Sequence, residues 1–169
     1  TIIAGGEGME PPKVLLAKRG SEPSKGSWSL PGGGVELGET VKECVRREIL
    51  EETTLDIEPS SVFGMTDSIH LDSDGKVMFH YTIAQVAAVV NGGVPEVTAK
   101  GDVDALAWVS VDDLSEMEGI VEGTARVVFE GVEHLLMKEQ FEDQDLYNAA
   151  FGWYSSVDTS AAQVRARHA

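Results

Sequence analysis

The sequence predicts an α+β fold in which helices lie on both faces of a sheet, an α/β/α sandwich. Three observations predict it. Five runs rich in β-branched and aromatic residues, at 1–4, 13–18, 57–69, 76–90 and 105–109, surround one helical segment at 41–52. That segment places Val41, Val45 and Ile49 every four residues, an apolar stripe that a sheet face must cover. A second stripe, Val121, Ala125, Val128, Val132 and Leu135, follows the last strand-like run and predicts an amphipathic helix over 122–139. With 169 residues, 42% of them hydrophobic, the chain suits one domain, placed at 1–154, followed by a polar tail at 155–169.

Residues 1–4 and 13–18 read as two core strands joined by a Gly/Pro-rich connection. The stretch 19–27 is a loop, and Lys18, Arg19 and Lys25 make it the one basic cluster before the acidic helix; a phosphate contact and a solvated surface both fit it. Trp28 suits packing beneath the following turn better than stacking on a base. Pro31, Gly32, Gly33 and Gly34 then form a sharp turn that exposes peptide groups. Glu39 and Thr40 are first-turn signals for the helix, which contains neither Gly nor Pro. Cys44, the single cysteine, reads as a small core residue and excludes an intramolecular disulfide.

Beyond the helix, 57–69 and 76–90 are expected to be long strands joined through Asp72, Ser73, Asp74 and Gly75, a strong hairpin signal. The run at 76–90 has the composition of a central strand, buried over much of its length, with Phe79 and Tyr81 on one side and His80 on the other. His70 and His80 stay outside the catalytic set, because neither has a metal-ligand spacing. A linker at 91–100 leads to the strand at 105–109 and a helix at 111–117. Gly123 and Gly131 weaken the last helix by about 1 kcal/mol each if both are interior. Tyr147, Phe151, Trp153 and Tyr154 form an aromatic patch that suits the core or a dimer interface better than a base.

The balance of 13 basic against 29 acidic residues, a formal charge of -16, disfavours bulk nucleic-acid binding but allows a small nucleotide in one pocket. No run is long and apolar enough to span a bilayer, and the first residues lack a signal-peptide pattern, so a cytoplasmic setting is expected. On the acidic helix Glu48, Glu51 and Glu52 stand three and four residues apart, and each like-charge pair costs about 0.2–0.5 kcal/mol when exposed. A divalent cation relieves that conflict. Hard oxygen ligands suit Mg²⁺, which fills its remaining positions with water and phosphate oxygens. Taken alone, the three glutamates fit a solvated acidic face equally well.

The spacing around them decides between these readings. Gly33, Glu39, Arg47, Glu48, Ile49, Glu51, Glu52 and Leu55 stand at the intervals of the Nudix box, with Thr54 in place of its last Gly, and the segment resembles that family. Leu15, Leu16, Arg19, Trp28 and 30–32 extend the likeness to the approach strand and turn. The resemblance implies a Nudix-type sandwich with a mixed central sheet, and Mg²⁺- or Mn²⁺-dependent hydrolysis of a nucleoside diphosphate linked to another group. It implies Glu48 and Glu52 as first metal ligands, Glu51 as a third and the Gly33 carbonyl as a fourth. Arg47 is expected to brace the box by pairing with Glu43, Glu51 or Glu39, and Asp102 and Asp104 are candidates for a further carboxylate. The hairpin and the FHYTIAQ run look like those of the ADP-ribose-hydrolysing and broad-specificity members, a likeness that implies ADP-ribose or a nucleotide sugar as substrate. A nucleoside triphosphate or dinucleoside polyphosphate is the runner-up, a non-catalytic nucleotide-binding module the rival class, and a homodimer the expected assembly.

Overall fold

Val14, Leu15, Leu16 and Ala17 are buried in succession, so one strand is apolar on both faces and the other layers are laid around it. The computed structural model describes residues 2–4, 11–90 and 93–140. Its elements run β1 (Ile2–Ala4), β2 (Lys13–Arg19), β3 (Trp28–Ser29), α1 (Val41–Thr53), β4 (Val62–Leu71), β5 (Val77–Val86), β6 (Ala88–Val90), β7 (Val103–Ser110), a 3-10 helix (Val111–Glu116) and α2 (Thr124–Gln140). The aromatic patch from Tyr147 to Tyr154 and the tail at 155–169 lie outside the described residues.

The doubly buried strand, β2, pairs antiparallel with β7 along one edge and with β1 and β3 along the other. β6 adds to β1 in parallel, which makes the five-stranded sheet mixed. Alternate side chains of β2 leave on opposite faces and serve two cores. Val14 and Leu16 join Val111, Leu114 and Val128 under the 3-10 helix and α2. Leu15 joins Ile49, Ile57 and Ala88, with Val45, Leu106 and Trp108 around them, under α1. This is the expected sandwich, and Val45 and Ile49 of the expected α1 stripe pack into the core, while Val41 does not join either cluster. Among the described residues no helix is long and apolar enough to cross a membrane.

Capping fixes both ends of α1. Thr40 accepts from the Glu43 amide while the Glu43 carboxylate accepts from the Thr40 amide, a complete capping box. At the other end, the Thr98 and Lys100 amides donate to the carbonyls of Thr53 and Glu52, 3.2 and 3.0 Å away. Two carbonyls that the helix leaves unpaired are thus satisfied by the loop that leads into β7.

Several sequence expectations are corrected. The strand expected at 57–69 begins only at Val62, and the one expected at 76–90 is two strands. Its first part, β5, is not central: with β4 it forms a separate two-stranded ribbon through the Asp72–Gly75 turn, and Val77, Met78, Tyr81 and Ile83 are exposed. Buried Ala87 ends the ribbon, and Ala88–Val90 crosses to the main sheet. β-Branched and aromatic composition signals an extended backbone, but it does not report which layer covers the strand. Phe79 and Tyr81 do share a side, with rings stacked at 6.1 Å. The segment at 111–117 is a 3-10 helix, and α2 starts after Gly123, so only Gly131 is interior.

Thr54 takes the left-handed conformation at the end of α1 (φ 67°), where Gly is the unstrained choice. A β-branched residue there costs roughly 1–2 kcal/mol, part of which Gly returns through its freer unfolded chain. Thr54→Gly is therefore expected to raise stability by up to about 1 kcal/mol in urea melts, with turnover unchanged; a less stable variant would remove strain as the account of this turn.

Candidate active site

The glycine turn folds back over the acidic face of α1, and Glu52 is the residue it covers. Glu52 is only 8% exposed, and its Oε2 accepts from the Gly32 amide at 3.0 Å. Burial pushes its carboxyl up to about 7, with Asp102 and Glu48 adding negative charge nearby and the Gly32 N–H and Arg19 opposing the shift. Such a group is poised to exchange its proton for a cation.

Arg47 organises the other carboxylates. Its Nε and one terminal nitrogen donate to both oxygens of Glu39, at 3.0 and 2.6 Å, a forked pair. The same guanidinium donates to Glu48 at 2.8 Å and to the Gly34 carbonyl at 3.0 Å, and lies 3.5 Å from Glu51. Arg47 holds the Glu39 carboxyl down at about 2, with help from the Glu36 amide, and the carboxylates hold the guanidinium firmly charged. Arg47 braces the box through the expected Glu39 and Glu51 and also through Glu48, which was not expected, while Glu43 is engaged in the capping box instead.

Gly33 packs directly against the Glu48 carboxyl group, and a Cβ there would collide with it unless the Glu48 side chain moved aside. The Gly33 carbonyl faces the Cys44 thiol at 3.9 Å, a weak contact. That thiol is buried, and burial together with the nearby Glu39 pushes it up to about 11, so Cys44 is an inert core residue.

The loop before β7 supplies the remaining acid. Asp102 accepts through its carbonyl from the Gly20 amide at 2.8 Å and through Oδ2 from the Ser21 hydroxyl at 3.1 Å. Among the sequence-predicted residues, Glu48, Glu52, Gly33 and Arg47 come together, and Asp102 lies near Glu52. Glu51 sits at the edge of this group, ion-paired with Arg47 but with its side chain 62% exposed. His70 and His80 lie on the ribbon, with Ser68 at 3.0 Å and Asp67 at 3.8 Å as partners. Ser21 and Gly20 were not legible as site residues, since 81 positions separate Ser21 from Asp102.

Among the described residues no three His, Cys, Asp or Glu side chains gather tightly enough to hold a metal ion alone. The donors present are carboxylates and a turn carbonyl, and one of the carboxylates is buried with a backbone amide as its hydrogen-bond partner. That set fits a hard cation that keeps most of its water and phosphate ligands, not a closed protein cage.

The family model described as NUDIX domain matches residues 2–130. An "ADP-ribose pyrophosphatase" of Methanocaldococcus jannaschii is 38% identical over 62% of this chain and 59% of its own length, so the chain spans less than two thirds of that relative. A "Nucleoside triphosphatase NudI" of an Enterobacter species is 32% identical over 62% of this chain and 77% of its own length. The NUDIX domain of Shewanella oneidensis NrtR, solved with ADP ribose, superposes with a TM-score of 0.60 at 19% identity, covering 79% of this chain and 83% of that one, a likeness of fold.

Two outcomes test this geometry. In metal-free protein Glu52 titrates higher folded than its ordinary value of 4.5. Its contribution to stability is therefore fully present below that value and lost as pH rises through about 7. Metal-free protein is expected to melt at falling temperature from about pH 5 to pH 8, a fall that Glu52→Gln removes and saturating Mg²⁺ flattens. Equal slopes for wild type and Glu52→Gln would reject the buried carboxyl as the cause. Gly33→Ala forces Glu48 aside without left-handed strain, so Mn²⁺ titration should show binding weakened about tenfold while the melt is nearly unchanged; unaltered Mn²⁺ affinity would separate Glu48 from the ion site.

Proposed function

Because the chain belongs to the Nudix family, we propose that it hydrolyses the pyrophosphate bond of a nucleoside diphosphate linked to another group, with ADP-ribose or a nucleotide sugar as the favoured substrate. The observation that carries this reading is the buried Glu52 carboxyl beside Glu48, under a glycine turn that packs position 33 against the Glu48 carboxyl group. A solvated acidic face would not bury a carboxylate away from its counter-ion. The name of the archaeal relative supports the choice of substrate.

In this reading Glu48 and Glu52 hold Mg²⁺ or Mn²⁺, with Glu51 from the exposed side and the Gly33 carbonyl as further donors. When bound, the cation neutralises charge on the phosphoryl oxygens and lowers the cost of generating hydroxide from water. The protein's own task is to hold the carboxylates in place against their repulsion. Arg47 does this by pairing with Glu39 and Glu48 and by tying Gly34 of the turn to the helix. The turn amide of Gly32 fixes the Glu52 carboxylate in one orientation. A water oxygen bonds to phosphorus as the anhydride P–O bond breaks, and the water's proton passes to a carboxylate of this group or to Asp102. From ADP-ribose the products are AMP and ribose 5-phosphate.

The Enterobacter relative, matched over more of its length, favours a nucleoside triphosphate as the alternative reading. A substrate panel with Mg²⁺, comparing ADP-ribose, nucleotide sugars, dinucleoside polyphosphates and triphosphates by kcat/KM, decides between them. ADP-ribose or a nucleotide sugar is expected to lead; a triphosphate ahead by about tenfold, the low end of what one pocket contact supplies, would overturn the choice. Glu52→Gln should lower turnover on the preferred substrate at least about a hundredfold with the fold retained, and near-normal turnover at saturating Mg²⁺ would remove Glu52 from the site. Saturable nucleotide binding with no product from wild type would instead identify a binding module.

A further inference from the structure

The loop after β2 and the loop before β7 are locked together next to Glu52. The Gly20 amide donates to the Asp102 carbonyl at 2.8 Å, and the Ser21 hydroxyl donates to Asp102 Oδ2 at 3.1 Å, so backbone and carboxylate of one residue are held by two neighbours. The approach is close enough that a Cβ on Gly20 would collide with the Asp102 carbonyl oxygen and stand 3.0 Å from Asp104 Oδ1. The ladder slips by one residue at this point, since Lys18 faces Ala105 but Arg19 faces Val103. Asp104 is therefore the unpaired bulge, and a bulge re-aims the residues beyond it. Beyond it lie Val103, still paired with Arg19, and then Asp102, two residues after Lys100, whose amide donates to the Glu52 carbonyl at 3.0 Å. The loop that carries Ser21 is itself braced: Arg19 Nε donates to the Pro23 carbonyl at 2.7 Å, and the Gly26 amide donates to the Arg19 carbonyl at 2.7 Å.

We propose that Ser21 and Gly20 are positioning residues, which through their direct bonds to Asp102, beside the Asp104 bulge, hold its carboxylate on the Glu52 side of the candidate site. The proposal rests on the reading of that site as a metal-dependent hydrolase centre. A carboxylate held there attracts a divalent cation whether it reaches the ion directly or through water. The Ser21–Asp102 side-chain bond is exposed, whereas the fit at Gly20 leaves no room for a Cβ against the Asp102 backbone.

Four variants test it on the full chain: Ser21→Ala, Ser21→Thr, Asp102→Asn and the double Ser21→Ala/Asp102→Asn. Ser21→Ala is expected to lower kcat about fivefold, the worth of one ordinary, solvent-exposed hydrogen bond, with KM within about twofold, and Ser21→Thr to restore it. Asp102→Asn should cost at least as much, and the double variant no more than Asp102→Asn alone, because both act through one carboxylate. In metal-free protein titrated with Mn²⁺ and followed by the electron paramagnetic signal of the free ion, Asp102→Asn should weaken binding about tenfold and Ser21→Ala in the same direction. Unchanged kcat and Mn²⁺ affinity in Ser21→Ala, or additive losses in the double variant, would overturn the proposal. If Glu52→Gln is inactive while Asp102→Asn is normal in both measurements, the positioning role fails and the hydrolase reading stands. If wild type turns over no member of the panel while the Mn²⁺ series behaves as expected, the hydrolase reading fails and the positioning role at an ion site stands.

Discussion

One guanidinium allows the acidic face of α1 to exist in a chain that already carries a formal charge of -16. Arg47 reaches Glu39 ahead of the helix, Glu48 beside it and the Gly34 carbonyl in the turn, and its pairing with Glu39 is partly buried, with 23% and 15% of the two side chains exposed. Partial burial weakens solvent screening, so this pair has more influence than a surface ion pair of the same length. It also fixes relative position, because the fork accepts Glu39 only in the plane of the guanidinium. The turn cannot move away from the helix without breaking bonds to the same side chain that holds Glu48. Lys at position 47 would keep the charge and lose the fork.

A further constraint is the burial of Glu52, which places function and stability in opposition. A carboxyl pushed up to about 7 is costly to ionise in the fold, and an apolar residue at that position would relieve the cost. The helix nevertheless presents Glu52 inward, under the turn, where the Gly32 amide alone does not offset the burial and a cation or a proton would. Thr54 adds a smaller cost two residues later, through its left-handed backbone. Both strained features lie within one turn of the helix end, where the box residues are concentrated, in keeping with strain collecting at functional positions.

What was legible in the sequence is what depends on neighbours along the chain. The capping signal at Thr40, the apolar stripe through Val45 and Ile49, the Asp-Gly turn at 74–75 and the apolar run of β2 are each set within a few residues, and the spacing of the box residues carries their grouping with them. What depends on distant partners was not legible. The ribbon of β4 and β5 has the composition of a buried strand, yet its exposure is decided by where α1 and α2 lie. Glu51 shares the helix with Glu48 and Glu52, but side-chain direction leaves it largely in solvent. The tie from Ser21 to Asp102 spans 81 positions and leaves no periodic trace.

The C-terminal end of α1 joins these distant parts into one site. Its last carbonyls need donors, and the amides of Thr98 and Lys100 supply them. That capping sets where β7 begins, and Asp102 follows Lys100 by two residues. From there the ladder with β2, with its bulge at Asp104, fixes which way the Asp102 loop faces. The carbonyl of Glu52 is thus bound by the same loop whose carboxylate raises the Glu52 side chain's affinity for a proton or a cation. Backbone satisfaction at a helix terminus, a demand that any helix makes, is met here by the segment that carries a charge to the site.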